Sequence, residues 1–219
     1  MSQPTYKQSS LSSNVMSLII SLIENKQEPY TADIYYYLNE QIRKIGILNY
    51  QLTSKSIPKN AILPRIRLSP SDLNFLKNLF LELEYNSNWS INNNYLFIGE
   101  KVFFEDIATD ILKDKKSHLI SHYNFCGYYV PIDFQGFSVP NEFLKYIGSS
   151  INLIDELKCM ANKINLDFGN YTPDLKVVYN QRINEFENDF LGFEKLLILY
   201  LYNICLASIK YNLVINFSG

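Results

Sequence analysis

"LLILYLYNICLASI", residues 196–209, is apolar on nearly every side and lies between Lys195 and Lys210. A surface helix shows one apolar stripe, whereas a segment apolar all round belongs inside a fold or inside a bilayer. As a helix, fourteen residues rise about 21 Å, short of the roughly 30 Å of bilayer hydrocarbon. The segment is therefore read as the central helix of a soluble protein, with no membrane partner. Working outward from it, the expected fold is α+β and mostly helical: helices packed around this C-terminal helix, with a small sheet.

The chain before it supplies the helices. "VMSLIISLI" at 15–23 has the length of a signal-peptide core, but "ENKQEPY" follows without a small-residue cleavage site. It is read as a core helix over about 14–25. A second helix is expected after Thr31 as N-cap, running toward Gly46. "SPSDLNFLKNLFLELE" carries Ser69 as N-cap and Pro70 at the first helical position. Its Leu73, Leu76, Phe80 and Leu83 recur at three and four residues, the period of one helix face. Further helices are expected in "EKVFFEDIATDILKDKK", just before Gly148, and after a cap at Ser149 or Ser150. Ile151, Ile154, Leu157, Ala161 and Ile164 form the buried stripe of the last.

The small sheet is expected from 88–98, 128–134 and 213–217. Asn92, Asn93 and Asn94 suit a hairpin turn, since asparagine tolerates left-handed backbone. "YYVPIDF" alternates, and Pro131 cannot donate to a ladder, so 128–134 is expected at an edge or a bulge. Between Tyr50 and Ser69, Pro58 and Pro64, with Pro70 just beyond, break every period, which reads as a long connection. Residues 1–13 read as a polar N-terminal tail, and 14–219 as a single domain.

Composition narrows the class. The 219 residues are 47% hydrophobic and 19% charged, which fits a folded chain. Cys126, Cys159 and Cys205 are widely spaced without a CxxC pair, so they read as reduced thiols of a cytoplasmic protein. The Asn-, Ile-, Tyr- and Lys-rich usage follows from an AT-rich coding sequence and identifies no ligand.

Two stretches carry candidate chemistry. His118, His122 and Cys126 are spaced by four and four, with Asp133 seven residues on. Imidazole, thiolate and carboxylate are all zinc-competent, and two histidines four apart can grip one ion from successive helical turns. No HExxH pattern is present, and Gly127 with the strand-like residues after it ends the helix early. The preferred reading is a solvated helix end leading into a strand, its histidines favoured by the negative dipole terminus. A Cys126–His nucleophile pair, oriented by Asp133 or Asn124, is a weaker alternative.

The second stretch is electrostatic. Residues 41–71 contain no acidic residue but hold Arg43, Lys44, Lys55, Lys59, Arg65 and Arg67, leaving −8 on the remainder of a chain of net charge −2. This segment is the expected binding surface, for an acidic protein before nucleic acid, because the rest of the chain would repel a polyanion. "GSS" at 148–150 and "DFG" at 167–169 lack the surroundings of a phosphate loop or a kinase. With no cofactor loop and no catalytic signature, no cofactor is expected and the reading leans away from an enzyme. The expected function is a non-catalytic intracellular interaction or regulatory protein of adaptor or immunity type. A metal-dependent or hydrolytic enzyme using His118, His122, Cys126 and Asp133, and a nucleic-acid binder using 41–71, are the alternatives.

Overall fold

A computed structural model of the chain describes residues 17–23, 29–53, 57–69, 71–87, 89–90, 104–114, 117–123, 126–140, 145–169 and 189–219. Six strands are described: β1 (Leu18–Ile23), β2 (Arg65–Leu68), β3 (Cys126–Val130), β4 (Phe137–Ser138), β5 (Tyr146–Ser149) and β6 (Val214–Ser218). The described helices are α1 (Pro29–Lys44), α2 (Asp72–Tyr85), α3 (Glu105–Asp114), α4 (His118–Ser121), α5 (Ser150–Lys163) and α6 (Gly192–Tyr211).

The strands form one mixed sheet in the order β2-β1-β6-β3-β5-β4. All neighbours are antiparallel except β3 and β5, which pair in parallel with Tyr128 opposite Ile147. Helices cover both faces. On one, α2, α5 and α6 enclose the larger core with Leu18, Ile20, Tyr129, Tyr146, Ile215 and Phe217. On the other, α1 buries Ile34, Tyr35, Leu38 and Ile42 against Tyr128, Val130, Ile147 and Val214. Successive side chains of β3 and β6 thus enter opposite cores, as the pleat requires.

The helix α6 fills the centre as its composition demands. Leu197, Ile198, Leu199, Leu201, Ile204 and Cys205 are buried, while Leu196, Tyr200, Tyr202 and Leu206 are half-buried. Asn203, its lone polar residue in that run, donates its amide to the Leu199 carbonyl at 2.9 Å. At 20 residues α6 is long and apolar enough to cross a membrane, yet two-thirds of its apolar window is buried inside the fold. Asn212, in left-handed conformation at φ 54°, ends the helix, its N–H bonding the Ser208 carbonyl. The chain then reverses into β6.

The expectation of a mostly helical fold with a small sheet is wrong: the sheet has six strands and is the organising layer. Its clearest correction is β1, read from sequence as a helix over 14–25. Leu18 and Ile20 enter the larger core and Ile23 packs on the smaller. A strand apolar on both faces shows no alternation, so its short run imitates a helix. Its isoleucines, stiff at χ1, favour the pleated surface. β2 lies inside what was read as a connection, with Ile66 buried between exposed Arg65 and Arg67. β5 replaces the short helix expected before Gly148, and Ser149 caps α5 by accepting from Asn152 N–H at 3.1 Å.

β3 is central, not an edge. It ends at Val130, so Pro131 follows the last paired residue and removes no ladder bond. β6 matches the expected strand at 213–217 within one residue. Of the hairpin expected at 88–98, only Trp89 and Ser90 are described, neither in a strand; the rest, like the tail at 1–13, lies outside the described residues.

Candidate functional site

Both histidines are deep in the protein, His118 at 2% and His122 at 3% relative exposure. The one-turn helix α4 carries His118 into the fold, capped by Ser117, whose hydroxyl accepts from Ile120 N–H at 3.1 Å. Glu156 of α5 holds the same turn. Its carboxylate accepts from the Ser117 hydroxyl (2.8 Å) and from the N–H groups of His118 (2.5 Å) and Leu119 (3.1 Å). Burial raises the Glu156 pKa, and these donors oppose the rise.

The His118 Nδ1 accepts from Ser149 N–H at 3.1 Å and lies 3.4 Å from the Tyr146 hydroxyl. An Nδ1 that accepts a backbone N–H places the ring proton on Nε2. Burial lowers the His118 pKa to about 4, against the opposing pull of Asp133, so the ring is neutral at pH 7. His122 stacks on Tyr129 at 5.2 Å, with Phe217 at 4.2 Å and Tyr146 edge-on at 5.7 Å. Neither of its ring nitrogens has a hydrogen-bond partner among the described residues. Burial, and then the nearby Lys77, hold its pKa well below the usual imidazole value. Lys77 donates to the His122 carbonyl at 2.6 Å, its pKa lowered to about 8 by burial despite Glu105.

Glycines permit this packing. A Cβ on Gly127, at φ +145°, would sit 2.7 Å from His122 Nε2, and one on Gly148 would sit 2.5 Å from the Tyr129 ring.

The expected solvated helix end is therefore incorrect: the histidines anchor an aromatic core beneath the β3–β5 junction. Cys126 is half-buried at the start of β3, off the helix, and burial raises its thiol pKa more than Lys145 lowers it. Asp133 is exposed in the loop after β3. Among the described residues no group of three His, Cys, Asp or Glu side chains is placed to hold a metal ion. The signal missed in the sequence was the aromatic set itself, since Tyr129, Tyr146 and Phe217 are far apart along the chain.

The basic residues sit elsewhere. Arg65 and Arg67 leave the edge strand β2 on the face opposite Ile66, the face that α1 covers further along the sheet. Lys59 is exposed in a turn, and Arg43 and Lys44 end α1. Arg43 pairs with Glu40 at 2.8 Å, and Arg67 reaches the Ser17 hydroxyl at 3.4 Å. Lys55 lies outside the described residues.

Carboxylates line the face that α2 and α5 cover. A cleft of about 390 Å³ opens between α2, α4 and α5, lined in part by Phe80, Glu84, His118, Asn152, Asp155 and Glu156. Glu84 pairs with Lys163 at 3.0 Å, and the more exposed Asp155 has Lys158 at 3.7 Å. Glu105, Asp106 and Asp110 stand exposed on α3, which packs on α2.

No curated protein and no solved structure matches the chain. A family model described as "Putative DNA-mimic protein" matches residues 10–217. That description points to proteins that bind DNA-binding proteins, and it overturns the expected adaptor or immunity role while supporting a protein partner. Neither the hydrolytic nor the nucleic-acid alternative is what it names. With the match spanning nearly its whole length, the chain belongs to this family, described as "Putative DNA-mimic protein".

Proposed function

We propose that this protein occupies the DNA site of a DNA-binding protein, presenting carboxylates where phosphates would lie. The family match over residues 10–217 carries the reading. Charge placement supports it. Setting aside the six basic residues of 41–71, the remainder carries −8. Acidic positions on α3 recur at 106 and 110, both exposed. Four residues advance an α-helix by about 6 Å, against one phosphate per about 3.4 Å of each DNA strand, so this helix offers about half the linear charge of one strand. Steering of a cationic groove toward such a surface is long-range and weakens with salt. Cytoplasmic residence, expected from the free thiols, belongs to the same proposal.

The test has two steps. A host protein retained on the immobilised chain is eluted with duplex DNA, then purified. The chain is then titrated against that protein bound to fluorescent duplex. Loss of anisotropy as the chain is added supports the reading, with weaker displacement by Asp106→Asn/Asp110→Asn. A retained protein that binds chain and DNA simultaneously refutes it.

A further inference from the structure

The sheet ends in a basic edge. β2 is bonded to β1 on one side, and among the described residues no strand pairs with its other side. Its exposed Arg65 and Arg67 leave one face, while Ile66 between them enters the larger core. Among the described residues Arg65 has no hydrogen bond or ion pair, and Arg67 has the long contact to the Ser17 hydroxyl at 3.4 Å. Ile62, in the connection that leads into the strand, is 51% exposed. Charged side chains on an edge blunt the addition of a further strand, so a strand is not the natural occupant of this surface. A helix bearing carboxylates is. α3 carries that pattern: Asp106 and Asp110 are exposed one turn apart, and a hollow of about 460 Å³ beside them is lined by Phe104, Glu105, Asp106 and Ile107. Two residues along a strand advance about 6.6 Å and four along a helix about 6 Å, so two arginines of β2 meet two aspartates of α3 in register. Laid parallel, the two segments bring Ile62 to the hollow at the start of α3.

We propose that β2 and the connection before it dock on α3 of a second copy of this chain, with Arg65 on Asp106, Arg67 on Asp110 and Ile62 in the hollow. Charge favours a second copy over other occupants. Residues 41–71 carry +6 and the remainder −8, so each copy brings the charge that the other's surface lacks. The net charge of −2 leaves little overall repulsion between copies. A DNA-binding protein, basic where it grips phosphates, is repelled from the β2 surface. Planar guanidiniums pair with carboxylates through two parallel bonds, which fixes the register of the contact. The same carboxylates serve the proposed mimicry, so an α3 held by a second copy is closed to the DNA-binding partner.

The experiment is sedimentation velocity of the full chain over a range of concentrations. At about 50 mM salt the weight-average sedimentation coefficient should rise with concentration, and association should be about tenfold weaker at about 500 mM, the scale of two exposed ion pairs. Arg65→Glu/Arg67→Glu and Asp106→Arg/Asp110→Arg should each sediment as monomers, since each variant then carries one sign of charge on both surfaces. Mixed in equal amounts they should associate again, because each supplies the charge that the other now lacks. Misfolded variants would not give that recovery. Ile62→Ser should weaken association about tenfold through lost apolar burial. A wild type that sediments as a monomer at every concentration overturns the proposal, as does association that survives either charge reversal, or a mixture that stays monomeric. None of these measurements involves DNA or a DNA-binding protein, so their failure leaves the DNA-mimic reading standing.

Discussion

Lowering the pH from 7 to 5 should destabilise this protein chiefly through its buried histidines, and His118 allows the size to be worked out. The folded pKa of His118 is about 4, against 6.5 for an unfolded imidazole. Between those values the unfolded chain binds a proton that the folded ring refuses. Stability is therefore complete above pH 6.5 and falls as pH drops toward 4. At about 1.4 kcal/mol per pKa unit the whole window amounts to about 3 kcal/mol, of which about 2 kcal/mol falls between pH 7 and 5. His122, also depressed, adds in the same direction. Glu156 acts against both, because its raised pKa lets the folded state take up a proton first. The assay is urea unfolding followed by far-UV circular dichroism at several pH values, for the wild type and His118→Asn. Asparagine keeps an acceptor near Nδ1 for Ser149 N–H but does not titrate. The wild-type curve should be steeper than the variant's by about 2 kcal/mol between pH 7 and 5. Parallel curves, within about 0.5 kcal/mol, would show that His118 is not buried neutral and would refute the reasoning.

Three further outcomes follow from the same geometry. Leu199, fully buried in α6, should cost about 2–5 kcal/mol on replacement by alanine in denaturant unfolding, through lost transfer energy and a cavity. Gly127→Ala should cost about 1–3 kcal/mol, because at φ +145° its new Cβ would meet His122 Nε2 at 2.7 Å; a variant unfolding at the wild-type urea midpoint would contradict this packing. Lys77, with its pKa lowered to about 8, makes the folded state release a proton before the unfolded one. Stability should therefore rise by about 1.5 kcal/mol from pH 8 to 9.5, a gain absent in Lys77→Met.

Much of the helical layer was legible in residue order. α6 was recognisable because a long run without a polar face has few alternatives to a buried helix. α2 showed itself through Leu73, Leu76, Phe80 and Leu83, and α5 through Ile154, Leu157, Ala161 and Ile164, all buried. The sheet was less visible for a definite reason: β1 and β5 send residues into cores on both faces, which erases the alternation that marks a half-exposed strand. Pro131 pointed to an edge only because its position one residue beyond the ladder cannot be read from composition.

The candidate sites divide in the same way. That residues 41–71 are basic and the remainder acidic is a property of the sequence, since charge is carried by residue identity. The four-residue spacing of His118 and His122 was equally plain, but their environment was not. Whether two histidines face water, a metal or an aromatic core depends on which distant side chains meet them. Here Glu156, Tyr129, Tyr146 and Phe217 arrive from one helix and three strands and bury both histidines. Sequence determined the residues and their local periods. Only the tertiary structure decided their protonation and partners, because burial and long-range contact are set by the closing of the sheet against its helices.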